Sequence, residues 1–331
     1  MDGILAENKC ITRDSSLDAA KGILIILVVY AHCFTSGILH DFIFSFHMPA
    51  FFLISGITGA ISCEADKPYY KTATKLLRTI GVPFLFFEFL GVISEIIRSG
   101  FSQSLKDFVF NTVTLRCNNI VDWFLGTLLF AKLISVLFFM ISRRITRTKY
   151  ADVIYISISV LFMVIAVLLP KEMPFVVKVW RRILVANGFI AIGYTFEQLI
   201  RKKKLFIGVI SLLATLIVSI INTDYMDINE LQFDYPVFFF VAAFLGSYGV
   251  IQIGKLCCWK PLIWIGNNSI IIMGTHIPIL LLLRHFLGIV EPTILQRICN
   301  MVAILLLEIP IILIVRNYVP FFIGQKIRRK I

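Results

Sequence analysis

Three histidines lie within or at the ends of long apolar runs, where an imidazole needs a partner or a function. His32 ends the run that Lys21 opens, His47 begins the following run, and His276 lies inside a late one. A neutral imidazole takes up a proton near neutral pH, so general acid–base chemistry is the reaction type that these residues suit best. The alternative is structural, in that each imidazole only hydrogen-bonds between two helices.

The depth of each histidine follows from a helical rise of about 1.5 Å per residue. His32 is predicted about 16 Å from the surface at which Lys21 enters, halfway through a bilayer core of about 30 Å. His276 rises about 21 Å from the same surface, and His47 lies about 8 Å below the opposite one. We therefore expect the three imidazoles to share one layer and to face a hydrated pocket.

The composition is that of an integral membrane protein. Hydrophobic residues make up 58% of the 331 residues, charged residues only 16%, and the mean hydropathy is +0.88. Apolar runs are continuous rather than alternating, which favours an all-α helical bundle over a β-barrel. Residues 1–331 are predicted to form one membrane domain, with a cytoplasmic segment at 1–20 and a basic cytoplasmic tail at 316–331. Ten spans are predicted near 22–39, 42–62, 79–97, 120–142, 151–169, 183–200, 205–222, 236–254, 262–283 and 294–315.

The distribution of basic residues supports this topology. With the amino terminus in the cytoplasm, the inner connections carry 22 of the 32 lysine and arginine residues, as the positive-inside rule requires. The net charge of +12 is then explained by topology, so no nucleic acid is expected as a partner. Both termini are predicted to be cytoplasmic, and the expected location is the plasma (inner) membrane.

Five segments carry recognisable motifs. The first segment runs from Leu17 to His32 and contains a basic residue and a histidine, Lys21 and His32, separated by ten residues. The other four segments are Phe46–Gly56, Lys75–Arg78, Asp122–Leu125 and Trp264–His276. On these segments the sequence resembles membrane-bound acyltransferase family 3, and within it the fucose O-acetylase-like branch of sugar O-acyltransferases. Lysine stands at Lys21 and Lys75 where the family has arginine, which weakens the expectation of bidentate phosphate contacts there.

The resemblance implies a membrane O-acyltransferase that moves an acetyl group from cytoplasmic acetyl-CoA to a hydroxyl of a sugar in a surface or lipid-linked glycan. His32 is expected to act as the general base, with an acetyl-histidine intermediate as the alternative. Asp122 is expected to hold a hydroxyl or to orient an imidazole. Acetyl-CoA is a co-substrate in this interpretation, and no tightly bound cofactor or metal is expected.

Four basic residues are assigned to the donor. They are expected to hold the phosphates of coenzyme A through charge-assisted hydrogen bonds, and two of them, three apart, are predicted to share a helical face. The alternative is that they only anchor the inner ends of the spans. The four residues are Lys21, Lys71, Lys75 and Arg78.

Five further residues are assigned to the acceptor. Trp123 can stack on a sugar face, although an indole at this depth is equally typical of an interfacial belt. Arg181 and Arg182 could meet an anionic acceptor, but such a pair in an outer connection is often only solvated. His47 and His276 complete the set.

The expected partners are acetyl-CoA, a glycan or sugar acceptor and membrane lipids, with a homodimer as one arrangement that the sequence leaves open. The alternative from another class is a transporter or flippase for a sugar-linked or anionic substrate. Many spans and central ionisable residues would suit it, but we find no internal repeat and no matched pair of interrupted spans.

Several structural expectations accompany this interpretation. Glu88 and Lys132 lie at the same predicted depth, about 15 Å from the inner surface, and are expected to form an ion pair. Residues 98–119 and 170–182 are predicted as outer segments with small caps. Asn267, Asn268 and Ser269 are expected to cap a helix or to bond across helices. The seven cysteines are scattered, and unpaired inert thiols are expected.

Overall fold

The computed structural model describes residues 13–64, 67–100, 105–117, 119, 121–146, 150–170, 172–222, 226–231, 235–289 and 292–325. These residues form fifteen α-helices and no β-strand, so the predicted all-α class is confirmed. A π-helical turn, Leu77–Gly81, joins α4 to α5, and a 3₁₀ turn, Pro320–Ile323, follows α15. The helices are α1 (Ser15–Cys33), α2 (Ile38–Phe44), α3 (His47–Ile61), α4 (Tyr69–Leu76), α5 (Val82–Ser99), α6 (Leu105–Val113), α7 (Trp123–Ile145), α8 (Tyr150–Leu168), α9 (Phe175–Thr195), α10 (Glu197–Arg201), α11 (Leu205–Ile221), α12 (Pro236–Gly254), α13 (Lys260–Asn267), α14 (Ser269–Phe286) and α15 (Ile294–Tyr318).

Eight helical segments of the described chain are long and apolar enough to cross a membrane. Two are composite, since α2 and α3 together span Ile38–Ile61, and α4 and α5 together span Tyr69–Arg98. Helix α11 is apolar but has 17 residues, and α9 has 21 residues but includes three cations. The chain is therefore a multi-pass membrane protein, while the ten spans and the cytoplasmic position of the termini stay predictions.

Helix α1 is central, because it contacts α3, α12, α13, α14 and α15. It begins after Asp14, whose carboxylate accepts a hydrogen bond from the backbone N–H of Ser16 at 2.9 Å and satisfies a free donor of the first turn. Leu24, Ile25 and Val28 are buried along its length. The helix thus carries the motif from Lys21 to His32 through the middle of the bundle.

Two glycines allow α1 and α13 to meet backbone to backbone. A Cβ atom at Gly266 would lie 1.7 Å from the carbonyl oxygen of Asp18, and one at Gly22 would lie 2.3 Å from that of Leu262. Small residues permit such close approaches between membrane helices. The contact fixes α13 against α1, and with it the α14 helix that carries His276.

Helices α3 and α9 cross in the same manner. A Cβ atom at Gly56 would lie 2.0 Å from the carbonyl oxygen of Ile190, and one at Gly193 would lie 2.1 Å from that of Leu53. Each helix therefore offers a glycine to the backbone of the other, and α3 is held tightly against α9.

The connections that the sequence assigns to the inner surface meet at one end of the bundle. Arg201 donates from Nε to Asp14 at 2.9 Å, and Arg13 donates to Asn267. Residues that are far apart in the chain thereby close this end, which we call the Lys21 end. The opposite end, where α1 finishes, is called the His32 end.

The ion pair predicted between Glu88 and Lys132 is wrong. Lys132 Nζ lies 2.7 Å from Glu64 Oε2, and Lys75 Nζ lies 2.9 Å from Glu64 Oε1. Burial alone would raise the pKa of Glu64, but the two lysines outweigh it and hold the pKa at about 2. Equal depth on two helices does not determine the direction of a side chain, and Lys132 points to the connection that follows α3.

The predicted boundaries around residues 170–182 and 183–200 are also wrong. Helix α9 begins at Phe175, so Arg181 and Arg182 lie inside a helix rather than in an outer connection, and both are buried. The helix can contain them because both find partners within the protein. Arg181 binds the free carbonyl oxygens at the end of α8, namely those of Ala166, Leu169 and Pro170.

Two smaller expectations have different outcomes. Cys63 is disulfide-bonded, contrary to the expectation of unpaired thiols. Asn268 makes no capping hydrogen bond to α14 but accepts one from Arg316 of α15 at 3.2 Å, so its interhelical role is confirmed. The described cysteines that remain free are Cys33, Cys117, Cys257, Cys258 and Cys299.

Candidate active site

A cavity of about 770 Å³ lies at the His32 end, among α1, α2, α3, α5 and α14. His32, His40 and His47 belong to its lining, and so does Trp123 at the start of α7. It reaches the surface at residues 35–37, which are exposed. A concave site with an opening and several imidazoles is suited to acid–base chemistry on a small ligand.

His32 presents its ring to this cavity from the last turn of α1. Its ring makes no hydrogen bond with any residue that the structure describes. The imidazole of His276 lies beside it, with ring centroids 5.2 Å apart and ring planes at 46°. The two imidazoles are therefore adjacent, but no hydrogen bond joins them in the structure.

His276 is completely buried and does not line the cavity. Its Nδ1 lies 2.7 Å from the carbonyl oxygen of Ile272, and because a carbonyl can only accept, Nδ1 carries the proton. Its Nε2 is then an acceptor, and it is buried without a partner among the described residues. The structure thus places His276 beside His32 and outside the cavity lining.

His47 and His40 complete the imidazole group. His47 donates from Nδ1 to the carbonyl oxygen of Ile43 at 2.8 Å, so its Nε2 is also an acceptor. His40 is 6% exposed in α2, and its ring centroid lies 4.3 Å from that of Phe44. The Phe44 ring lies 4.9 Å from that of His47 and therefore separates the two imidazoles. No cluster of metal-ligating side chains occurs among the described residues.

Two of the residues that the sequence analysis assigns to the acceptor line this cavity, namely His47 and Trp123. The guanidinium of Arg182 lies 4.9 Å from the centre of the Trp123 indole, so a cation–π contact holds the ring in place. Asp122 is fully buried, and neither it nor Arg181 nor Arg182 belongs to the lining. These three residues therefore lie outside the cavity lining.

The residues assigned to the donor lie toward the Lys21 end. Lys21 Nζ is 2.7 Å from Asp18 Oδ1, and both line a separate pocket of about 240 Å³. Lys21 and His32 are eleven residues apart on α1, which corresponds to about 16 Å along the helix. The two pockets therefore lie at different depths beside the same helix.

The regular helical face expected for Lys75 and Arg78 is interrupted. Helix α4 ends at Leu76, and Arg78 lies in the π-helical turn, whose hydrogen bonds span five residues and shift the phase of the side chains. Lys75 is bound to Glu64, and Lys71 is exposed to solvent. The cations therefore lie in one region of the protein, but they do not form a single row along one helical face.

A comparison with protein families adds to this geometry. The model of a family described as an acyltransferase domain, acyltransferase family 3, matches residues 14–316. The chain belongs to membrane acyltransferase family 3. No curated protein and no solved structure matches it. The protein is thus a membrane acyltransferase by family, which favours the predicted enzyme over the alternative of a transporter.

Two carboxyl groups of this family 3 acyltransferase were missed by sequence reasoning. Asp18 is 4% exposed and pairs with Lys21, and the spacing of three residues could have indicated that pair. Glu308 is 2% exposed in α15 and accepts a hydrogen bond from Thr275 Oγ1 at 2.7 Å. A carboxyl group inside an apolar run is a signal of function in itself, and Thr275 is the neighbour of His276.

Proposed function

We propose that this acyltransferase moves an acetyl group from acetyl-CoA to a hydroxyl of a sugar, with His32 as the general base. One observation carries the proposal: His32 presents a ring without a protein hydrogen bond to a cavity of about 770 Å³, with the acceptor nitrogen of His276 behind it. A hydroxyl nucleophile needs a base within hydrogen-bonding reach. The acetyl donor and the sugar acceptor rest on the resemblance to fucose O-acetylase-like proteins.

The reaction proceeds by attack of the acceptor hydroxyl on the thioester. His32 takes the hydroxyl proton as the acceptor oxygen bonds to the carbonyl carbon, and the carbonyl oxygen becomes anionic. The tetrahedral intermediate then collapses and the carbon–sulfur bond breaks. The imidazolium of His32 returns its proton to the departing coenzyme A thiolate, so the products are an acetyl ester, a free thiol and a neutral His32.

His276 orients the base in this scheme. In this proposal the two rings, which are adjacent but not hydrogen-bonded in the structure, turn so that Nε2 of His276 accepts a hydrogen bond from one ring N–H of His32. The other nitrogen of His32 is then free of a proton and can accept one from the acceptor. The orientation is itself anchored, because His276 donates to the carbonyl oxygen of Ile272 in its own helix. We therefore assign His276 a positioning role in place of acceptor binding.

We propose that acetyl-CoA binds from the cytoplasmic side, at the Lys21 end. Two of the cations there are already paired with the carboxylates of Asp18 and Glu64, so the phosphates must share or displace these partners. The pantetheine arm then follows α1 for about 16 Å to His32. The phosphates are held by Lys21, Lys71, Lys75 and Arg78.

The acceptor enters at the His32 end, past the exposed residues 35–37. Trp123 and His47 contact it, Arg182 supports the indole of Trp123, and Asp122 supports the wall from behind. In this proposal the protein lies in the plasma membrane with its amino terminus in the cytoplasm, so that donor and acceptor approach from opposite sides.

The test measures release of coenzyme A thiol and transfer of labelled acetyl by the purified full chain in detergent, with a panel of sugars. His32→Ala is compared with His285→Ala, a matched control that removes an exposed histidine of α14. Loss of a general base typically costs about 10²- to 10⁴-fold in rate, so His32→Ala is expected to lose transfer while the control keeps it. Full activity of His32→Ala would remove His32 from the mechanism.

The same experiment separates direct transfer from an acetyl-histidine intermediate. With acetyl-CoA alone, an intermediate would give a burst of thiol and an acetyl label on His32 by mass spectrometry. Direct transfer gives neither until sugar is added. Absence of thiol release with every acceptor would contradict acetyl-CoA as the donor.

A further inference from the structure

The cavity that contains His32 also contains a guanidinium without a counter-ion. Arg284 lies in the last turn of α14 and belongs to the lining. It makes no hydrogen bond or ion pair with the residues that the structure describes, and its Nε is buried without a partner. A buried donor on a charged group costs stability unless it is bonded, and no described residue supplies a partner to this guanidinium, so it is available to a ligand in the cavity.

The other charged side chains of the lining already have partners. Among the charged side chains of the lining, Arg284 is the one without such a partner in the described part of the chain, so its hydrogen-bond donors are the ones that a ligand can still satisfy. The pairs are Asp41 with His40 at 2.9 Å, Glu95 with Arg98, and Asp227 with the backbone N–H of Asn229 at 2.7 Å.

Arg284 is close enough to His32 to contact the same substrate. It lies eight residues after His276 on α14, which corresponds to a rise of about 12 Å. Side chains on a helix lean toward its amino terminus, so the guanidinium lies nearer to the imidazoles than this rise suggests. A group bound by Arg284 therefore belongs to the sugar that is acetylated or to the unit beside it.

We propose that Arg284 binds an anionic group of the acceptor, a carboxylate or a phosphate, so that the enzyme selects an acidic glycan over a neutral one. This inference rests on the proposed function, because it assigns the cavity to the acceptor. The planar guanidinium binds either oxyanion through two parallel hydrogen bonds. Two sources fit this chemistry: a uronic acid within the glycan, and a phosphate that joins a sugar to a lipid carrier.

The first test compares matched acceptors in the acetyl-transfer assay. One pair is a glucuronic-acid disaccharide and its glucose counterpart, and the other is glucose 1-phosphate and glucose. Wild type should prefer the anionic member of one pair, and that pair identifies the source. Arg284→Gln should lose about 10- to 100-fold in kcat/KM for this acceptor with little change for the neutral one, while Arg284→Lys keeps part of the preference. The control Lys106→Gln removes an exposed cation of α6 and should behave as wild type.

The second test does not depend on transfer. Phenylglyoxal modification of Arg284, followed by mass spectrometry of its peptide, should be slowed by glucuronate or glucose 1-phosphate and not by glucose. Transfer that needs His32 but treats both members of each pair alike, with Arg284→Gln unchanged, would overturn this inference and leave the proposed function intact. Protection of Arg284 without any transfer would support the inference and count against the proposed function. Absence of both preference and protection would overturn the inference.

Discussion

Replacing Glu64 by glutamine is predicted to lower the free energy of unfolding by about 3 kcal/mol at neutral pH. The side chain of Glu64 is 9% exposed and contacts Lys132 at 2.7 Å and Lys75 at 2.9 Å. Glutamine keeps the shape but removes the negative charge. Lys132, whose side chain is also 9% exposed, would then be a buried cation without a counter-ion.

The magnitude follows from the pKa of Glu64. Burial pushes this pKa up, but the two lysines lower it from its ordinary value of 4.5 to about 2. A tenfold change in an ionisation constant corresponds to about 1.4 kcal/mol, so the ionised form is favoured in the folded protein by about 3 kcal/mol. Breaking a buried ion pair from one side costs about 3–5 kcal/mol in other proteins, which is the same range.

The sign of the pH dependence follows as well. Because the pKa is lower in the folded state, the stabilisation is present above pH 4.5 and is lost as the pH falls from there to about 2. Thermal unfolding of the purified protein in detergent, at pH 7 and in steps from pH 5 to 2, measures it. Wild type should approach Glu64→Gln in stability across this interval.

Two further variants test the physical cause. Lys75→Met removes a side chain that is 47% exposed and should cost less than about 1 kcal/mol. The double variant Glu64→Gln/Lys132→Met replaces the buried pair by uncharged groups and should recover most of the loss. The reasoning is refuted if Glu64→Gln unfolds at the wild-type temperature at pH 7, or if the double variant is no more stable than Glu64→Gln.

Three other predictions concern the site and its support. His276→Gln keeps an acceptor behind the base and should retain more transfer activity than His276→Ala, which should lose at least about tenfold in kcat; equal losses would reduce His276 to a packing role. Gly193→Ala places a Cβ atom 2.1 Å from the backbone of Leu53 and should cost about 1–3 kcal/mol in thermal unfolding, whereas Gly81→Ala, with no contact under 3.4 Å, should be nearly neutral. Arg181→Gln should lower stability by about 1–3 kcal/mol by freeing carbonyls at the end of α8, without changing KM for the acceptor; a selective change in KM would mean that it binds substrate after all.

The imidazole pair at the centre of the site could be predicted from the sequence. Counting residues along apolar runs placed His32 and His276 in one layer, and their rings lie 5.2 Å apart. Helical rise is nearly constant, so depth is the coordinate that a membrane sequence specifies best. Continuous apolar runs likewise predicted the all-α class and a multi-pass membrane protein.

Direction around a helix could not be predicted in the same way. Glu88 and Lys132 share a depth, yet Lys132 pairs with Glu64, which belongs to a connection and was not considered as a partner. The same limit applies to His276, whose depth was correct but whose ring lies behind His32 and outside the cavity. Which face of a helix meets which neighbour depends on tertiary packing, above all on close crossings such as the one at Gly266.

Charge misled the prediction at two helix ends. Arg181 and Arg182 favoured an outer connection because cations are costly in a membrane helix. In the structure, Arg181 instead donates hydrogen bonds to carbonyl oxygens at the end of α8, and Arg182 lies over the indole of Trp123. The sequence does not distinguish Arg284, because an arginine in the last turn of a helix is usually explained by the helix dipole and by solvent. Only the absence of a partner among the residues that the structure describes distinguishes it.

The central position of α1 sets an order for membrane insertion. This helix precedes the other described helices in the chain, and the partners of its amino-terminal charges come much later, since Arg13 and Asn267 are 254 residues apart. At about 5–20 residues per second, the ribosome needs roughly 10 to 50 s to bring the two together. During that interval Asp18 can use Lys21 as a local counter-ion, three residues away on the same helix. The nascent helix can thus enter the bilayer with the charges of Asp18 and Lys21 already paired. Its contacts with the helices from the last third of the chain form only after those helices have been synthesised.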